Sequence, residues 1–89
     1  MKIPKTFQLG GADWQVIQIP NFALLGQCLR DDRTIFLRKN MPTEHKEQTF
    51  CHELIHAIKY MQGEDDHNEQ QVDLFATFLH QFMKTAKYK

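Results

Sequence analysis

Eighty-nine residues, 42% hydrophobic, with eleven acidic and eleven basic side chains, allow one domain around one modest core and leave no net charge. That balance gives no reason to expect nucleic acid or an anionic membrane as a partner, and no apolar run approaches the roughly 18 residues of a membrane span. The N-terminal stretch lacks a secretory apolar core, so the expected compartment is the cytoplasm, or a host's cytoplasm if the gene is viral.

In chain order, residues 1–5 are expected to fray. Thr6 to Leu9 and Asp13 to Ile19 alternate as strands joined by Gly10-Gly11, with Trp14 and Val16 on one face. Pro20-Asn21 interrupts, Ala23 to Arg30 reads as a third strand, Asp31-Asp32-Arg33 as a hairpin turn and Thr34 to Arg38 as a fourth strand. The sheet, over about residues 6–38, is thus predicted to be small and antiparallel. Lys39 to Pro42 ends it, and Thr43 is a predicted N-cap for a helix over about 43–62, with Glu44 and Glu47 favourable near its positive end. The two cysteines, Cys28 and Cys51, are expected to be reduced and partly buried rather than paired, because nothing marks the chain for secretion.

That helix contains Cys51-His52-Glu53-Leu54-Ile55-His56-Ala57, flanked by Phe50, Leu54, Ile58 and Met61 at helical spacing. Side chains four residues apart stand about 6 Å apart on one face, so His52 and His56 can offer imidazole nitrogens to one ion. Glu53 points to a neighbouring sector. A carboxylate there suits a group that does not ligate the metal but takes a proton from metal-activated water. Cys51 adjoins His52 but lies about 100° round the helix, so it is predicted to face the sheet.

A catalytic zinc site needs three protein ligands and an open position. The helix should end near Gly63, with Asp65-Asp66-His67-Asn68 supplying a turn and an N-cap for a second helix over about 67–87 that carries Val72, Phe75, Ala76, Leu79, Phe82 and Met83. If the helices run antiparallel, the first climbs about 9 Å from His56 to Gln62 and the second descends about 4.5 Å from Asp66 to Glu69, which sets Glu69 level with His56. Asp73 then comes level with His52 and can accept its second ring N–H. His67, eleven residues after His56, is the rival third ligand.

His52-Glu53-x-x-His56 followed by Asn68-Glu69-x-x-x-Asp73 resembles the gluzincin metallopeptidases typified by thermolysin, with a much shorter link between the motifs. The short link, the small size and the lead-in from Gly26-Gln27-Cys28 through Thr34-Ile35-Phe36-Leu37 resemble ImmA/IrrE-like and phage-encoded zincin domains, over about residues 25–83. The resemblance implies a zinc ion held by His52, His56 and Glu69, Glu53 as general base and peptide hydrolysis as the reaction. It also implies substrate bound as an extra strand along a sheet edge, here the strand at 23–30 or at 34–38. The chain departs from those domains in lacking a legible helix before the sheet and any DNA-reading module.

The expected architecture is therefore α+β, a single zincin-like domain over 1–89: a sheet of three to four strands followed by two antiparallel helices. His67 and Tyr60 are candidate hydrogen-bond donors to a developing oxyanion. His45 and His80 fall below the metal level and are expected at the surface or its boundary. The first functional reading is a zinc metallopeptidase acting on a peptide or protein as a monomer. The second is a zinc-stabilised binding module, in which the metal only holds two helices together. The third is a metal-free interaction protein that uses the Phe-rich second helix, with Phe78 as an exposed anchor.

Overall fold

The computed structural model describes residues 1–89, with four strands followed by two helices: β1 (Thr6–Leu9), β2 (Ala12–Ile19), β3 (Gly26–Leu29), β4 (Thr34–Arg38), α1 (Thr43–Met61) and α2 (Glu69–Thr85). The class is α+β, as expected. The sheet is mixed rather than wholly antiparallel, because its spatial order is β1-β2-β4-β3 and β2 pairs with β4 in parallel, Val16 opposite Ile35. Composition explains why β4 takes the inner place. Thr34, Ile35 and Leu37 are all buried, a run suited to a strand paired on both sides. The less apolar β3 is left at the edge, every residue half-buried, and its strand is shorter than the 23–30 span expected.

Trp14 and Val16 do share the buried face of β2, and with Ile35, Leu37, Phe50 and Ala57 they form the core between the sheet and α1. Residues 1–5 are not frayed: Met1 and Ile3 pack against this core, and the Met1 amine lies 3.4 Å from Glu47 Oε2. Cys51 is fully buried and Cys28 half-buried, both unpaired.

Helix α1 begins at Thr43, within the expected span of about 43–62, but its cap differs from the one expected. Pro42, not Thr43, is the N-cap, and its carbonyl accepts from the Lys46 N–H while no side chain caps the helix. Its end follows the prediction. Gly63, at φ +82°, donates to the Tyr60 carbonyl and the Glu64 N–H donates to that of Lys59, a turn that a left-handed glycine allows. Asn68 caps α2, its side chain accepting from the Gln71 N–H.

The helices run antiparallel, in a ladder of side-chain pairs: Lys59 with Gln71, His56 with Glu69, His52 with Asp73, Gln48 with Thr77 and Glu44 with Lys84. The face that α2 turns to α1 is Val72, Ala76 and His80, one residue per turn. Phe75, Phe82 and Met83, named with Val72 and Ala76 among the apolar residues of this helix, stay exposed. His80 is a correction. It is buried rather than at the surface, because it continues the Val72–Ala76 line, and its Nε2 lies 3.0 Å from the buried Glu47 Oε1. No helix is long and apolar enough to cross a membrane.

Candidate metal centre

His52 and His56 stand one turn apart on α1 and face the first turn of α2. His52 Nε2 lies 3.3 Å from Glu69 Oε2, and His56 Nε2 lies 3.3 Å from Glu69 Oε1. Ligand atoms of these three residues all fall within 4.8 Å of one another, close enough to hold one metal ion. The antiparallel register and the Asn68 cap deliver Glu69, so its place depends on the short loop as much as on either helix.

The hydrogen bonds behind the site assign a tautomer to each ring in its neutral form. Asp73 Oδ1, 2.7 Å from His52 Nδ1, can only accept, so Nδ1 donates and the neutral ring keeps a lone pair on Nε2. The His56 side runs through a second histidine. The Glu64 carbonyl accepts from His67 Nε2 at 2.6 Å, which leaves the neutral His67 a lone pair on Nδ1. His56 Nδ1, 2.6 Å away, donates to it, so His56 Nε2 is also unprotonated. With the rings in these neutral tautomers, two nitrogen lone pairs face the two Glu69 carboxylate oxygens. At 3.3 Å both contacts are long for charge-assisted hydrogen bonds. Burial also lowers the pKa of His56, which favours the neutral, ligating form.

In this relay both nitrogens of His67 are engaged within the protein, and the group whose ligand atoms converge is His52, His56 and Glu69. The His67 ring stacks beside His56 and lies 4.4 Å from Tyr60, centroid to centroid. Tyr60 lines a cleft of about 310 Å³ with Gly26, Cys28, Glu53, His56 and Glu69. His45 is exposed and lines an adjoining cleft of about 420 Å³ with Leu24, Leu25 and Asp73.

Glu53 is buried beside the histidines rather than among them. Its pKa is pushed up to about 7, chiefly by burial, with the Glu69 carboxylate adding to the rise and His52 opposing it. A carboxyl poised there can both take and return a proton near neutrality. Gly26 makes this packing possible. A Cβ at that position would stand 2.8 Å from Thr49 Cγ2, 3.1 Å from Glu53 Cγ and 3.2 Å from Glu53 Oε2.

Of the residues singled out from sequence, His52, His56 and Glu69 come together, Asp73 supports His52 as expected, and Glu53 flanks them. The support that His67 gives His56 and the close approach of Gly26 to Glu53 were not foreseen. A glycine opening a strand beside the motif was the available signal for Gly26; nothing local marks His67, because its role depends on how the 62–68 loop folds back. Of the two edges considered for substrate, only β3 has a free side, since β4 is paired on both. No protein family, curated protein or solved structure matches the chain.

Proposed function

We propose that the chain is a zinc-dependent metallopeptidase that hydrolyses a peptide bond with Glu53 as general base. The observation that carries this reading is the convergence of His52 Nε2, His56 Nε2 and Glu69, with a separate buried carboxyl alongside. Two donors each about 2.0–2.1 Å from a tetrahedral zinc ion lie about 3.3 Å apart. Each histidine Nε2 lies 3.3 Å from one Glu69 oxygen, and ligand atoms of all three residues fall within 4.8 Å of one another, which leaves room for such an ion among them. A nitrogen-nitrogen-oxygen set with one side open is that of hydrolytic rather than purely structural zinc sites.

Bound there, zinc would supply Lewis acidity, acidifying water and polarising a carbonyl. The chain's own residues do the rest. Asp73 and His67 hold the two imidazoles in the ligating tautomer. Glu53 takes the proton of the attacking water and returns it to the leaving amine, a double duty that its raised pKa suits. The unpaired edge of β3, whose Gly26, Gln27 and Cys28 line the same cleft as Glu53, offers main-chain groups to an extended peptide. Two unpaired cysteines fit a reducing compartment, and we assign the activity to the cytoplasm.

The zinc-module alternative has no use for a buried carboxyl at position 53. The test is zinc content and cleavage of an unfolded protein substrate, comparing the parent with Glu53→Gln. Zinc retained by both and cleavage lost only in the variant support the peptidase. Parental cleavage by the variant, or a parent that takes up no zinc, would overturn it.

A further inference from the structure

Helix α2 has one packing partner, α1, and its opposite side carries no ionisable group. At about 100° per residue, Leu74, Phe75, Phe78 and Phe82 fall in one outward sector, flanked by the exposed Gln71 and Gln81. The four apolar side chains are 52%, 45%, 58% and 58% exposed. Aromatic enrichment and absence of charge mark the centre of a protein interface rather than an ordinary solvated face.

We propose that this face pairs with the same face of a second copy of the chain, forming an antiparallel two-fold dimer. The pattern is self-complementary. Leu74, Phe78 and Phe82 make a single ridge at four-residue spacing, the kind that packs into the groove of another helix. A two-fold axis through Phe78 sets Leu74 of one copy against Phe82 of the other, and so closes the contact. The same operation sets the two helix dipoles in opposition. Neither copy carries net charge to repel the other.

The area is sufficient. Half-exposed Phe and Leu side chains contribute about 100 Å² each, and with the flanking polar residues about 600 Å² per copy is covered, about 1,200 Å² in all, the lower bound for a specific complex. An interface at that lower bound belongs with weak, reversible complexes, and about micromolar affinity is the expectation tested below. Glu69 and Asp73 lie on the other side of α2, so the candidate metal centre stays open in the dimer and the pairing does not depend on it.

Sedimentation velocity of the full chain across about 1–300 µM, a range that brackets micromolar affinity, should show monomer giving way to dimer. Phe78→Glu, and independently Phe82→Gln, should weaken the dimer about tenfold or more while leaving the unfolding midpoint of the monomer unchanged. Thr6→Glu, on the far β1 strand, should behave as the parent. A parent that stays monomeric throughout overturns the proposal, as does an undiminished dimer in the Phe78 and Phe82 variants. A monomer that instead co-sediments with phosphatidylcholine vesicles would reassign the face to a lipid surface.

Discussion

The Nδ1 atoms of His56 and His67 lie 2.6 Å apart, so one candidate ligand is oriented by another histidine and not by a carboxylate. Removing either supporting residue should weaken zinc binding without abolishing it. His67→Ala and Asp73→Ala are each expected to lower affinity about 10–100-fold, read by competition with a chromophoric chelator. At saturating zinc each variant should still bind one ion per chain. Loss of the ion in His67→Ala alone, with retention in Glu69→Ala, would make His67 the ligand and dismantle the relay.

A methyl group at position 26 should damage chemistry more than metal binding. The Gly26→Ala side chain collides with Thr49 Cγ2 at 2.8 Å and crowds Glu53 at 3.1 and 3.2 Å, so the base must give by a few tenths of an ångström while the three ligands, which are not among its nearest contacts, stay where they are. A misplacement of about 1 Å can cost about a hundredfold, and a smaller one correspondingly less. We expect kcat to fall severalfold with zinc affinity unchanged; equal activity would mean that Glu53 has room to move and that its packing against β3 is incidental.

Metal should raise thermal stability steeply for so small a chain. At zinc 1,000 times its Kd, mass action adds about 4 kcal/mol, and each kcal/mol shifts Tm by roughly 4–8 °C in a domain of this size. Addition of zinc is therefore expected to raise Tm by about 15 °C or more, and a chelator should reverse it. His52→Ala should show almost none of this shift.

The buried pair of Glu47 and His80 predicts acid sensitivity away from the candidate metal centre. The His80 hydrogen bond holds the Glu47 carboxyl below its usual range. A carboxylate with a lowered folded-state pKa stabilises the fold above its unfolded value, about 4.3, and loses that contribution as pH falls through the folded value. Near neutrality the parent should exceed Glu47→Gln by about 1 kcal/mol or more, and the gap should close below about pH 4. A gap that is constant across that range in thermal unfolding would assign the effect to packing alone.

Much of the candidate metal centre was legible because it is written in local periodicity. His52, Glu53 and His56 share a helix, where 100° per residue sets their directions without reference to anything else. Glu69 and Asp73 could be placed because the connection is short: Gly63 ends one helix, Asn68 starts the next, and four-residue steps on both sides keep level. The inner face of α2 was harder to read. With apolar residues on both its sides, the sequence pattern admits two faces, and only contact with α1 selects Val72, Ala76 and His80.

By itself, then, the sequence determined the elements, the chemistry-bearing helix and the level at which the second helix meets it, since each follows from steps of a few residues. The tertiary structure decided what depends on residues far apart in the chain. It set β4 between β2 and β3, leaving β3 as the free edge beside Glu53, because the most apolar strand gains most from pairing on both sides. It buried Glu47 with His80 and turned His67 onto His56, because polar groups enclosed by packing must find partners wherever the fold brings them.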